Sequence, residues 1–587
     1  MYKKVGIVAL FILLVNIAFS NYLGADASGV KGGKLTLILT TAPQTFNWFN
    51  AGIGDSSIIG HLLGRGGRLA EYNELEKRYY PGVAESWKGP RLTKDGGMEI
   101  IFYLRKGVRW SDGRPFNADD VVFTFNNVIL NPKFPNRVQD QLKTSNGLLP
   151  EVKKIDDYTV RIFYKDIYRP AFDAVVRVYI LPKHIWEPQM RTKKISEIWD
   201  VSAISKGELV GLGPFIPVEY VPEQYIRLVR NPYYWKVDKN GNQLPYLDEI
   251  IYKIVPNYEA GKLVFLSGGA DVFAPRSGDV VTIKEKDDFI VYKQGPTQSI
   301  QYLAFNFNAK DPVKRDWFRN IHFRKAIAYT INKQAIINVV YQGFGVEQNS
   351  VVAFMSPFFN ENVVEKYNYN IEKAKSELKL GGFRFGKDGI LYDSKGNRVE
   401  FILITDSSDT FREQICTILI NEWRKLGINA KLAVVDRNLV SKFLEQTGDW
   451  EAVVSGLMAF EEPQLSAHIW RSDGTKHFWN FSPKIAKWIN EKDYVKFDFE
   501  EQIDKILEQN VLTLDDGIAK NYWFLFQRIV SENLPVIPLV SSIKFLAWHQ
   551  KVKNIRPGEL DSFNWCIDRI YIDEPKNKVK GGKSNEG

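Results

Sequence analysis

The chain has 587 residues, more than one ordinary folding unit, and its length leads us to expect two to four. Hydrophobic residues make up 44% and aromatic residues 13%, which supplies large cores and places the chain among globular proteins. The net charge of +9 comes from 78 basic and 69 acidic residues interspersed along the sequence, so it bears on solubility and gives no nucleic-acid signature.

The N-terminus carries an export pattern. Lys3 and Lys4 precede an apolar run from Val5 to Phe19 that is too short for a membrane span. Ala25-Asp-Ala27 then fits a small-x-small cleavage site, with Ala18-Phe-Ser20 as a second option. Residues 1–27 therefore read as a removable secretory signal, and the expected location is a periplasm. No Cys follows the apolar run, so no lipid anchor is expected. The two cysteines are Cys416 and Cys566. Cys416 falls on an apolar helical face with Phe411, Ile415 and Leu419, where a small buried hydrophobe is the simple reading, and spacing alone does not decide whether the two pair. The 15 Trp, 27 Tyr and 37 Phe exceed what core filling asks for, so most are expected in cores and some on a ligand surface.

In chain order, Gly32-Gly33 leads into a strand at Lys34–Leu39, followed by Ala42-Pro-Gln-Thr-Phe46. Gly96-Gly97 precedes an apolar strand at Met98–Leu104, and Asp112-Gly113 supplies a turn. Asn117 is placed to cap a helix, with Asp119 and Asp120 in its first turn and Val121, Val122, Phe125, Val128 and Ile129 on its buried face. Tyr179-Ile-Leu-Pro-Lys-His-Ile-Trp186 reads as a Pro-broken loop in which His184 is structural. Tyr225–Val229 alternates as a strand that Asn231-Pro232 ends, and another strand spans Ile250–Val255. A further strand spans Tyr302–Phe307. Phe323, Ile327, Ile331 and Ala335 recur every four residues, predicting one helix. Ile371–Leu378 is an amphipathic helix. A strand at Val399–Ile404, a helix from Thr410 to Leu426 and a strand at Asn429–Val435 form a β-α-β unit. Gly448–Gly456 reads as a strand, and charged helical segments follow to residue 530. The tail Lys576–Lys583 reads as disordered.

Enzyme signatures are missing. The sequence has no G-x-S-x-G, no G-x-x-x-x-G-K-[ST] and no H-E-x-x-H. Gly64-Arg-Gly-Gly67 lacks the Lys-Ser/Thr of a phosphate loop, and the six His are scattered without metal-ligand spacing. The acid pairs Asp119-Asp120 and Glu461-Glu462 read as helix caps or solvated faces. Neither catalysis nor an obligate cofactor nor a metal is expected.

Several stretches in order resemble family 5 extracellular solute-binding proteins, the oligopeptide- and dipeptide-binding receptors of ABC importers. These are Pro81-Gly-Val-Ala-Glu-Ser-Trp87, Tyr103–Phe125, Leu181-Pro-Lys-His184, Gly211-Leu-Gly-Pro-Phe215 with Tyr225–Trp235, Ser267–Phe273, Arg324–Asn332 and Leu534-Pro-Val-Ile-Pro-Leu539. The resemblance runs with gaps from about residue 33 to 570. It implies an α/β, two-lobed periplasmic-binding-protein-like fold with mixed sheets and three domains, including an extra second domain. Domain I would comprise 28–75, 206–296 and the return segment 536–575, domain II 76–205 and domain III 297–535, with 576–587 a basic tail. It also implies a monomer that captures small peptides in an interdomain cleft and hands them to membrane permease subunits, without nucleic acid.

In the peptide-binding relatives the segment after the Gly448 strand runs G-W-x-A-D-Y-x-x-P, and its Asp pairs with the peptide ammonium. Here it reads Gly456-Leu457-Met458-Ala459-Phe460-Glu461-Glu462-Pro463, one residue shorter, without the Trp or the Asp. Glu461 or Glu462 would substitute as the anion, or both belong to a solvated turn. Gln44, Phe46 and Trp48, with Asn47 and Phe49, would border the cleft or pack on their own domain. Oligosaccharide is the alternative ligand within the family, and Trp470, Phe478, Trp479, Asn480, Trp548 and Trp565 are the aromatic and amide side chains compatible with it. A secreted chaperone-like binder of extended chains is the alternative from another class.

Overall fold

In the computed structural model, residues 27–50, 53–144, 146–558 and 563–573 are described. The expected signal segment before Ala27 and the basic tail lie outside the described residues. The first sheet opens with β1 (Lys34–Leu39), paired in parallel over its whole length with β2 (Glu249–Ile254). Tyr225–Arg230 and Phe215–Val221 extend it as antiparallel neighbours. The alternation of Leu35, Leu37 and Leu39 inward explains β1, because a period of two places those three on one face.

A second, antiparallel sheet is built from Ala84–Leu92, Met98–Leu104, Thr159–Tyr164 and Glu151–Asp156, in that spatial order. Helix α1 (Ala118–Phe123) packs on it and continues as π-type turns to Ile129. Its entry is a full capping box. Asn117 Oδ1 accepts from Asp119 N at 2.8 Å, and Asp120 Oδ2 accepts from Asn117 N at 3.2 Å. Asp120 does more than offset the helix dipole. It is buried and also accepts from Trp110 Nε1 (3.2 Å) and Lys183 N (3.1 Å), which pins the turn and the 183–189 segment to the helix. That segment is a short helix, Lys183–Gln189, rather than the expected loop, because Pro182 precedes its first turn without breaking it; His184 Nε2 sits 2.9 Å from Asp112 Oδ2. Helix α2 (Ala171–Val176) completes this region.

The chain leaves for the last region through β3 (Phe289–Pro296) and β4 (Ser299–Phe305). There β5 (Glu400–Asp406), α3 (Thr410–Arg424), β6 (Asn429–Val435), β7 (Ala452–Met458) and β8 (Val536–Pro538) form a five-stranded sheet in the order β6-β5-β7-β4-β8, and β9 (Val540–His549) carries the chain back. Helices α4 (Asp498–Val511) and α5 (Asp516–Asn533) pack beside one another against this region. The single helix expected over 323–335 is two, Ile321–Tyr329 and Lys333–Val340. Asn332 caps the second, its Oδ1 accepting from Ala335 N at 2.9 Å, and this local cap overrides the continuing apolar period. Cys416 and Cys566 are both buried free thiols.

The three largest apolar cores each belong to a different sheet. One fills the five-stranded region from Tyr302 to Val540, one fills the first sheet with Trp548 and Cys566–Ile570, and one fills the second sheet. Inside the first-sheet body, Arg65, Glu71, Lys236 and Asp568 form a buried charge cluster. Arg65 Nη1 and Lys236 Nζ each lie 2.6 Å from Glu71 Oε2, Arg65 Nε is 3.1 Å from Asp568 Oδ2, and Tyr234 OH donates to Asp568 Oδ2 at 2.9 Å. The arginine and lysine hold Asp568 well below the usual carboxylate range against its burial, while burial brings Lys236 down to about 8. The cluster rivets the returning segment 564–569 to the body where the chain began.

Candidate functional site

Among the described residues, the chain crosses between the five-stranded body and the rest at two places, and Gly345–Glu347 also pairs with β9. β3 pairs with β9 as far as Pro296–Ile543, and β4 pairs with β8 from Tyr302–Pro538. The change of partner falls at Thr297, whose N–H donates to Ser542 O (2.9 Å), and at Leu539, whose N–H donates to Gln301 O (2.8 Å). Across the remaining boundary, contacts gather at one end of the five-stranded sheet, where Arg177 meets Glu461 and Arg169 meets Glu462 and, through its backbone N–H, Val511 O.

That end is set by topology. β6 and β7 both run parallel to β5 on opposite sides, so the carboxyl ends of β5 and β7 diverge where the strand order reverses. Such a fork leaves a crevice in which ligands of open α/β sheets settle. β5 meets β7 only at Leu403–Ala452 and Ile404–Val453. From Ser455 to Met458 that edge of β7 has no strand partner among the described residues, while its other edge is fully paired with β4. Alternate backbone groups on this stretch therefore face the gap unbonded to any strand. Arg412, in the first turn of α3, spans the fork. It contacts Asp406, donates to Gln301 Oε1 (2.8 Å), and its guanidinium lies so near Gly456 that a Cβ there would meet it at 2.5 Å. Glycine at 456 gives the room for that approach.

The segment that follows crosses to the other body. Glu462 is buried and bonded to Arg169 through both oxygens, at 2.7 Å each, and Arg169 also donates to Asn510 Oδ1 (2.9 Å) and, through its backbone, to Val511 O (3.0 Å). Burial pushes the Glu462 carboxyl up, with Arg169 pulling it down. Glu461 is less enclosed and has one arginine contact, to Arg177 Nη2 at 2.9 Å, while its backbone oxygen accepts from Ser356 Oγ at 2.6 Å. Neither glutamate is a solvated turn. Tyr79 OH donates to Asp173 Oδ1 (2.8 Å) on α2 beside this contact, and burial with the nearby carboxylates raises the Tyr79 and Tyr72 hydroxyls.

The other sequence-derived candidates divide. Gly456, Leu457 and Phe460 are half-buried, Leu457 against the five-stranded core, Met458 is 56% exposed, and Ala459 packs with Ile300, Ala353 and Met355. Gln44 is exposed, with its N–H on Asp55 Oδ1 at 2.7 Å. Trp48 is half-buried and its ring lies 4.9 Å from those of Phe49 and Tyr179. Asn47 is buried, donating to Ile195 O and Ile198 O at 2.6 and 2.9 Å. Phe46, Trp470 and Trp565 are core residues. Trp470 packs edge-on to Phe526 and tilted against Trp479, and Trp565 Nε1 donates to Arg556 O at 2.8 Å. Phe478, Trp479, Asn480 and Trp548 are buried as well, so none of the six side chains considered for sugar stacking offers a free face. Sequence reasoning missed Arg169, Arg177 and Arg412. The signal for Arg177 was faint, a charged residue beside the apolar Ala174–Val176 stretch.

A small cavity of about 20 Å³ lies between Lys333, Ser350, Glu365 and Gln527 and has room for about one water. No group of three or more metal-ligating side chains occurs among the described residues, and no helix among them is long and apolar enough to cross a membrane.

Residues 78–477 match the family model for bacterial extracellular solute-binding proteins, family 5. The chain is 27% identical to the oligopeptide-binding protein AppA of Bacillus subtilis, over 82% of this chain and 86% of that protein. It is 26% identical to the periplasmic alpha-galactoside-binding protein of Rhizobium meliloti, over 93% of this chain and 81% of that one. In fold, it superposes with a TM-score of 0.71 on AppA in complex with a nonapeptide, at 22% identity over 93% of this chain and all of that one. The periplasmic binding protein MelB of Agrobacterium fabrum C58 in complex with stachyose gives 0.72, at 22% identity over 95% and 88%.

Proposed function

Because the chain belongs to the bacterial extracellular solute-binding proteins, family 5, we propose that it is a periplasmic receptor that captures oligopeptides between its two bodies and delivers them to the permease subunits of an ABC importer. It acts by binding and catalyses no reaction, and it works as a monomer. The observation that carries this reading is the unpaired edge of β7 from Ser455 to Met458, at the sheet's switch point and facing the gap. An extended peptide added to that edge gains main-chain hydrogen bonds whatever its side chains. Domain I (28–75, 206–296, 536–575) with domain II (76–205) forms one lobe and domain III (297–535) the other, and the crossings at Thr297 and Leu539 are the hinge. Rigid-body rotation there opens and closes the site. Glu461 is the anion that meets a peptide ammonium, since Glu462 has both oxygens committed to Arg169.

Native mass spectrometry of the exported protein tests this. A ladder of bound peptide masses is the expected result. Bound species spaced by hexose increments overturn the peptide reading in favour of an oligosaccharide receptor, and retention of long unfolded chains alone overturns it in favour of a chaperone-like binder.

A further inference from the structure

The stretch Arg177–Ile180 alternates in burial. Val178 and Ile180 are buried, Arg177 and Tyr179 half-buried, so the last two emerge on one side. Arg177 reaches Glu461 of the other body, and Tyr179 follows two residues on along the same side of the stretch. Tyr179 is seated over Gly64, where a Cβ would meet the ring at 3.2 Å, and Trp48 packs beside it. The Arg68 guanidinium lies 4.6 Å from the Tyr179 ring centre. Arg169, Arg177 and Arg412 each have a carboxylate partner. Arg68 has none: its side chain makes no hydrogen bond or ion pair among the described residues, and its Nε is closed off from water without an acceptor. A half-buried guanidinium in that condition is costly unless something completes it.

We propose that Arg68 is a ligand-binding residue that takes a carboxylate of the captured peptide, with Tyr179 as its stacking floor and Trp48 packed against that tyrosine. This rests on the peptide reading and adds to it a charge preference. The planar fork of an arginine matches a carboxylate through two parallel hydrogen bonds, and the Tyr179 face fixes the plane of the fork before the ligand arrives. The carboxylate is either the peptide's C-terminus or an Asp or Glu side chain, which present the same group.

The test uses the full chain immobilised against a tryptic digest of casein, half of it left as free acids and half methyl-esterified, with retained peptides identified by mass. The wild type is expected to retain the acid pool roughly tenfold or more over the ester pool. Arg68→Gln is expected to hold both pools equally and weakly, at an unchanged melting temperature. If Arg68→Gln does not fold, Arg68→Lys replaces it, keeping the charge without the fork, and is expected to lose most of the preference. Retained peptides free of Asp and Glu assign the C-terminal carboxylate, and retention confined to Asp- or Glu-containing peptides assigns the side chain. Equal retention of acids and esters by the wild type overturns the role of Arg68 while leaving the peptide reading standing. So does an acid preference that survives in both variants. Retention of neither pool overturns the peptide reading, and Arg68 with it.

Discussion

Two sets of arginine–carboxylate contacts sit at different levels of the structure. Arg65, Glu71, Lys236 and Asp568 are enclosed within one body, where Arg569 also lies 3.8 Å from Asp568. Arg169–Glu462 and Arg177–Glu461 cross from one body to the other. Similar chemistry therefore has different consequences. The first set separates only when the body unfolds or its return segment detaches. The second separates whenever the two bodies part, so its strength is written into the balance between open and closed forms rather than into folding.

The sharpest way to break that contrast is Asp568→Asn. It leaves buried cations short of one carboxylate, and a loss of about 3–5 kcal/mol of stability is expected in chemical denaturation, with ligand affinity of the folded fraction unchanged. Loss of affinity at full stability would put the cluster in the wrong class. Arg169→Ala comes next. It strands a buried Glu462, and the expected effect is a larger radius of gyration in solution scattering without ligand, with a smaller stability loss of about 1–3 kcal/mol.

Within the first body, His61 is neutral and bonded to Tyr252 OH at 2.6 Å, and burial brings it down to about 4 from 6.5. A base with a lowered folded value binds fewer protons than the unfolded chain between those two pH values, so stability falls as pH drops through that window. Roughly 2 kcal/mol should disappear between pH 7 and 5, and His61→Gln should flatten that slope; an unaltered slope would exclude His61 as its source. The smallest effect on stability belongs to Glu461→Gln, under about 1 kcal/mol because the pair is partly exposed, yet it should weaken binding of free-amine peptides more than of N-acetylated ones in calorimetry.

Local structure was readable from the residues. Lys34–Leu39, Met98–Leu104 and Asn429–Val435 have the bounds that alternation and flanking turns indicate, and Asn117 caps as its position indicates. The family pattern, carried by six or more motifs in order, gave the architecture. The partners of Glu461 and Glu462 were not readable, because Arg177 and Arg169 lie 284 and 293 residues away and nothing local distinguishes a paired glutamate from a solvated one. The aromatic excess was similarly silent. Composition counts Trp470 and Trp48 alike, whereas packing puts the first in a core and leaves the second half-buried against Phe49 and Tyr179. The helix break at Thr330 escaped because the apolar period of four continues through it while the hydrogen bonding does not.

The central claim is that peptide is added as a strand to the open edge of β7. Amide hydrogen exchange of Ser455–Met458, read with and without the casein peptide pool, tests it most directly. Binding should slow exchange at the gap-facing alternate amides of this stretch while leaving those bonded to β4 as they were. Peptide binding that leaves the exchange of Ser455–Met458 unaltered would contradict the account.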